Sequence, residues 1–306
     1  MTSSSRERPE RKCPICGAGE PATVGRPVVS PEAVGFVRHD YRVVRCEACR
    51  FYFVSPDIDF AEEEWRALYG SQYFEGLVPW WAKKKRRNER LNLDLLQRHS
   101  ARPMERFLDV GCGEGDVLRD ALGRGWAPYG VDITDNRTEA VRDERIRFTL
   151  GDIFQAHFPG EFFDAVYMNS VLEHVTDPAA HLSEIRRILR TGGVLHVGTP
   201  NEDSLFNSGK QILLALAGKG DISARLTPFK TPYHVSGFTR RSVLRAMERS
   251  GFEIVNLTNF AGEYEWLKYK PFTRAFFIHM ALLPVHLFAI PLRRQIYFDV
   301  VARKTG

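Results

Sequence analysis

From residue 105 onward, short apolar runs alternate with amphipathic stretches. RFLDV (106–110), PYGVDI (128–133), RFTLGDI (147–153), FFDAVYMNS (162–170) and GGVLHVGTP (192–200) read as strands. GDVLRDALGRG (115–125), the weaker TEAVRDE (138–144) and AAHLSEIRRILR (179–190) carry the helical period between them. Strands alternating with helices predict an α/β fold whose mostly parallel sheet is covered on both faces. The alternation breaks at 201–233, an insertion with a short apolar helix around QILLALA (211–217). FTRRSVLRAMERSG (238–251) is a helix ended by Gly251, and FEIVNLTNF (252–260) a strand. A second insertion covers 261–294, and QIYFDVVARK (295–304) closes the sheet.

The first hundred residues follow other rules. Residues 1–12 are polar and charged and read as a disordered tail. Residues 13–58 form a cysteine-bracketed module in which VVRCEACRFYFV folds as short strands around a turn. Residues 59–104 read as a helical connector to the main domain, 105–306.

Composition narrows the class. The 306 residues are 43% hydrophobic and 26% charged, ordinary for a globular protein with a sizeable core. The formal charge of +5 is mild. KKKRRNER (83–90) reads as a solvated helix face, with an anionic partner as the alternative. MTSSSRERPERK has no apolar stretch of a secretory leader, so a reducing cytoplasm is expected. There, two close cysteine pairs point to metal rather than disulfides.

FLDVGCGEGD (107–116) poses the central chemical question. Glycines at a strand's carboxyl end let a ligand approach the backbone, and the next helix offers free N–H groups. The nicotinamide pattern G-x-G-x-x-G fails at Asp116. A pyrophosphate beside Asp109 and Glu114 would meet like charges, whereas S-adenosylmethionine (SAM) carries a sulfonium and an ammonium that carboxylates suit. Asp132, at the end of the second strand, can accept both ribose hydroxyls. Asp152 is placed to meet the adenine amino group, Ile133 and Ile153 to pack on its faces, and Asn169 and Ser170 lie at the same edge.

FLDVGCGEG, VDI, GDI, FDAVYMNSVLEHVTDP and LRTGGVLHVGTPN together resemble class I SAM-dependent methyltransferases, most closely the ubiquinone-biosynthesis-like group with its LEH signature. The resemblance covers roughly 105–260 and the last strand. It implies a Rossmann-like, seven-stranded sheet with an antiparallel last strand. It also implies that Asp109, Gly111, Gly113 and Gly115 line the methionine end, Asp132 binds ribose, Asp152 binds near adenine and Asn169 backs the site.

CPIC (13–16) and CEAC (46–49) make C-x₂-C…C-x₂-C, and four thiolates from Cys13, Cys16, Cys46 and Cys49 suit a structural, tetrahedral Zn²⁺. CEACRFYFVSP…LYGSQYF also resembles the zinc-ribbon methyltransferases that include sugar C-methyltransferases, although this chain lacks the long additional C-terminal domain some of those carry.

Methyl transfer needs an aligned acceptor and, for a hydroxyl or carbon acid, a base. His234, in TPYHVSGFTRRSV, is the first candidate base; bracing of the following helix is the competing reading. Tyr233 is a weaker partner. His174 either orients substrate or braces the loop, and Glu173 helps position the site. NSVL stands where adenine N6-methylation generally uses [DN]PP[YF], and Cys112 is in the wrong loop for a cytosine C5 nucleophile. The expected acceptor is a small molecule, a sugar nucleotide or saccharide first and a quinone-like or lipid-linked molecule second. An RNA- or protein-methylating enzyme docking through the ribbon, and a SAM-binding module without turnover, are the rivals. AFFIHMALLPVHLFAIPL (275–292), flanked by basic residues and divided by Pro284, reads as a lid over the site, with a peripheral contact to the inner face of a membrane as the alternative.

Overall fold

In the computed structural model, which describes residues 11–61, 63–65, 79–218, 226–230, 232–260 and 270–306, the chain begins with β1 (Ala22–Gly25), β2 (Arg42–Arg45) and β3 (Tyr52–Ser55). Each is antiparallel to the next. Residues 1–10 of the tail expected at 1–12, and 62 and 66–78 of the connector, lie outside the described residues; Arg11, expected in that tail, is instead held by Ser55, Asp57 and the Thr176 carbonyl. Helix α1 (Pro79–His99) buries Glu89, Asn92, Leu93 and Leu96, the spacing of one helical face. Leu93 and Leu96 join the cluster of Phe107, Tyr167 and Val301, so α1 covers a face of the main sheet as well as linking to it.

The main layer then follows: β4 (Arg106–Val110), α2 (Asp116–Gly123), β5 (Ala127–Asp132), β6 (Arg147–Leu150), β7 (Phe163–Asn169), α3 (Pro178–Ile188) and β8 (Leu189–Pro200). After these come α4 (Leu205–Leu216), β9 (Ser236–Gly237), α5 (Arg240–Arg249), β10 (Phe252–Phe260), α6 (Arg274–Ala281), α7 (Leu283–Ala289) and β11 (Tyr297–Lys304). The sheet has seven strands in the order β10-β11-β8-β7-β4-β5-β6. Strands β4 to β8 run parallel, and β11 is antiparallel to both neighbours. All of β7 before Asn169 is buried, as a strand covered on both faces must be.

Local chemistry sets the helix starts. The Asp177 carboxylate accepts from the Ala180 N–H at 2.9 Å, with Pro178 in the first turn of α3. Thr239 and Ser242 exchange side-chain and backbone hydrogen bonds at the head of α5, a capping box. The helix expected at 138–144 is absent; a 3₁₀ turn, Glu139–Val141, replaces it. Asp135 pairs with Arg137 and Arg142, and Asp143 with Arg145, so local ion pairs hold this stretch in turns.

Strand β9 does not join the main sheet. It pairs antiparallel with β3, Tyr52 opposite Gly237 and Phe53 opposite Ser236, and completes a four-stranded sheet in the order β1-β2-β3-β9. The apolar run at 275–292 forms α6 and α7, the second packed against α4, with buried His286 stacked on Phe206 at 5.6 Å. Phe277, Ile278, Phe288 and Leu292 remain substantially exposed. Among the described residues, no helix is long and apolar enough to cross a membrane.

Candidate active site

The turn after β4 concentrates buried acid. Asp109 is only 3% exposed, and burial, followed by the charges of Glu89 and Asp132, pushes its carboxyl well above the usual range. Glu89, from α1, is itself buried and raised for the same first reason, with Lys85 opposing at 3.7 Å. The charges of Glu89 and Asp132 both act on the buried Asp109 carboxyl, an arrangement that a cation beside it would relieve. The sequence reading missed Glu89 within its basic run; its i, i+3, i+4, i+7 relation to Asn92, Leu93 and Leu96 was the available signal.

The glycines divide the work. Gly113 has φ +50°, donates its N–H to Asp132 Oδ2 at 2.8 Å, and has nothing within 4 Å of where a Cβ would stand, so it is the open point of the bend. Gly111 and Gly115 instead face Val171 and Val141, where a Cβ would come within 2.6 and 2.5 Å. Asp132 also accepts from the N–H and hydroxyl of Thr134. Asp152 is engaged by the N–H groups of Phe154 and Gln155. Ile133 is 60% exposed beside this edge, but Ile153 is 1% exposed. The expectation that Ile153 offers a face to a ligand is corrected: β6 ends at Leu150, and Ile153 turns into the core with Phe158 and Val131. Asn169 ends β7 and lies across Gly198, where an added Cβ would stand 2.0 Å from its Oδ1.

A second cluster follows β7. Glu173 is 2% exposed, accepts from the Thr199 hydroxyl at 3.2 Å, and is pushed up by burial to about 7. The rings of His174 and His234 meet edge-to-face at 5.1 Å. Burial lowers His174 to about 4 and His234 to about 3, the second helped by the charge of the first, so both imidazoles are neutral at pH 7. One donor atom from each of Glu173, His174 and His234 lies within 4.8 Å of the others. The loop is pinned: the Glu173 carbonyl accepts from Val235 and Ser236 N–H at 2.8 and 3.0 Å, and the Ser236 hydroxyl donates to the Val175 carbonyl at 2.8 Å. Tyr233 is not part of this trio; its ring packs with Tyr41, Val54 and Phe229.

Cys13, Cys16, Cys46 and Cys49 converge, with Sγ–Sγ separations of 3.6 Å for Cys13–Cys49 and 3.5 Å for Cys16–Cys46. A tetrahedral ion with metal–sulfur bonds of about 2.3 Å sets sulfurs roughly 3.8 Å apart, so the donor set fits one. The Cys49 thiol, hydrogen-bonded to Cys13, lowers Cys13 to about 5 and favours its thiolate.

Comparison with known proteins agrees with this geometry. Residues 82–257, more than half of the chain, match the family described as "Methyltransferase domain". An uncharacterized 37.1 kDa protein in transposon TN4556 of Streptomyces fradiae is 36% identical over 119 residues, 36% of this chain, which spans only 34% of that protein's length. The ubiquinone biosynthesis O-methyltransferase of Thiobacillus denitrificans is 27% identical over 180 residues, 56% of this chain and 72% of the relative. A SAM-dependent methyltransferase from Archaeoglobus fulgidus superposes with a TM-score of 0.51 at 16% identity, covering 78% of this chain and 97% of that one, a likeness of fold. The chain belongs to the methyltransferase domain family, and its seven-stranded sheet is the Rossmann-like fold of SAM methyltransferases.

Proposed function

We propose that this chain is a SAM-dependent methyltransferase acting on oxygen or activated carbon of a small-molecule acceptor, with a structural zinc held by Cys13, Cys16, Cys46 and Cys49. The convergence of Asp109, Glu89 and Asp132 on the open bend at Gly113 carries the reading. Such a pocket disfavours a pyrophosphate and favours a cationic nucleoside.

When bound, the donor supplies an electrophilic methyl group on a sulfonium. Asp109 and the Gly113 bend hold its charged end, and Asp132 its ribose. His234, neutral and half-buried, takes the acceptor's proton on a ring nitrogen as the new bond forms. The Glu173 carboxylate, within 4.8 Å, then faces an imidazolium and stabilises it. His174 packs on the His234 ring and donates to the Tyr233 backbone carbonyl, which orients the base.

A sugar nucleotide or saccharide is the favoured acceptor, supported by the likeness of the cysteine module to zinc-ribbon sugar methyltransferases. A quinone-like acceptor is the second reading, favoured by the name of the Thiobacillus relative. Incubation with methyl-labelled SAM and a panel of nucleotide sugars, quinols and RNA tests both. Label in a sugar or a quinol supports the corresponding reading. Label in RNA alone, or in nothing despite tight SAM binding, overturns both.

A further inference from the structure

A cleft of about 600 Å³ opens where the cysteine module, the end of β8, the head of α5 and the segment before β11 meet. That size is ordinary for a small-molecule site. Its lining is unusual in charge: Arg45, Arg50, Arg240, Arg293 and Arg294 all face it, against the single acid Asp203. Glu47 answers part of this charge, holding Arg45 at 2.8 Å and Arg50 at 3.5 Å. Arg240 and Arg293 pair with no carboxylate among the described residues.

Arg294 is fixed in position, clamped by the Asp203 carbonyl at 2.8 Å and the Ser208 hydroxyl at 2.7 Å. Arg240 and Arg293 bring positive charge to the cleft with no carboxylate of the described residues to neutralise it, and an anion seated there would do so. The planar guanidinium fork matches phosphate oxygens two at a time.

We infer that this cleft binds a diphosphate group, and that the diphosphate belongs to the methyl acceptor. The second half of the inference rests on the methyltransferase reading and names its acceptor class; the first half stands on the cleft alone. The segment 234–240 joins the two sites, with His234 at one end and Arg240 at the other. Asn201, another wall of the cleft, bridges to Phe238 in the same segment. A diphosphate anchored by the arginines leaves the group it carries to reach toward His234.

Calorimetric titration of the whole chain with inorganic pyrophosphate, uridine diphosphate and S-adenosylhomocysteine tests this. The expected result is diphosphate binding that weakens with salt and falls about tenfold or more in Arg240→Ala and in Arg293→Ala, with partial rescue by Arg240→Lys. S-adenosylhomocysteine affinity in the same variants is expected to stay within about twofold, which also reports intact folding. Uptake of S-adenosylhomocysteine without diphosphate, or diphosphate binding indifferent to the variants, overturns the inference while leaving the methyltransferase reading in place. Arginine-dependent sedimentation with phosphatidylglycerol vesicles, without affinity for soluble diphosphates, overturns it in favour of a headgroup contact. Diphosphate binding lost in the variants but no S-adenosylhomocysteine binding supports the cleft's assignment and sinks the methyltransferase reading instead.

Discussion

Phe53 of the cysteine module and Ser236 of the His234 loop stand opposite each other in an antiparallel ladder. The same Ser236 N–H donates to the Glu173 carbonyl. The module is thus hydrogen-bonded to the backbone that sets His234 against Glu173, and whatever holds β3 in place also holds the candidate base.

Metal removal is therefore expected to act at a distance. Chelation, or Cys46→Ser, is expected to lower kcat roughly 10- to 100-fold through misplacement of His234. S-adenosylhomocysteine affinity, set on the other side of β7, should change little. Elemental analysis of the purified protein checks the metal, and titration calorimetry separates the two effects; equal loss of both would mean simple unfolding.

Burial and the charges of Glu89 and Asp132 push the Asp109 carboxyl up, and a cation bound beside it would push it back down. Binding of the donor is expected to release protons and to tighten as pH rises. Calorimetry in buffers of different ionisation enthalpy measures the release. Asp109→Asn is expected to abolish most of it and weaken binding by roughly 10- to 100-fold.

Glu173 makes two pH predictions of opposite sense. Its carboxyl stands at about 7 against an ordinary 4.5. Because the folded value is the higher one, its contribution to stability is complete below about pH 4.5 and is lost as pH climbs through 7. Glu173→Gln is expected to melt close to the parent at pH 5 and above it at pH 8. Turnover needs the carboxylate, so kcat is expected to rise with pH through the same range, and the variant to lack that inflection.

His234→Ala is expected to cut kcat by roughly 10²- to 10⁴-fold while donor affinity stays put. His174→Ala, which removes only the ring that orients the base, is expected to cost less. Single-turnover kinetics at saturating donor distinguishes them, and a near-normal rate for His234→Ala would leave Glu173 as the group to test next.

The strands of the parallel sheet and the glycine bend were legible because they are written in contiguous residues: RFLDV, YGVD and FDAVYMN each carry their burial pattern locally. The cysteine pairs were legible from spacing alone. Contacts made across the chain were not. Glu89 hid inside a basic run, and its acid partner lies 20 positions away. Strand β9, two residues long, has no signal of its own and exists because β3 offers an edge. Ile153 looked like a strand-end residue facing ligand, but its strand stops early and the side chain turns inward. The TEAVRDE stretch has helical spacing, yet Asp135 and Asp143 capture their arginines first.

That borrowed strand bears on how such a protein could arise or be re-engineered. Cut away at residue 58, the small sheet would expose the unpaired rim of β3, an invitation to aggregate. The large sheet, deprived of its neighbour, would leave Ser236 and Gly237 held from the Glu173 side alone. The two halves are not beads on a string that can be traded between relatives. A graft would have to carry both segments, and the history of the cysteine module is tied to that of the loop it serves.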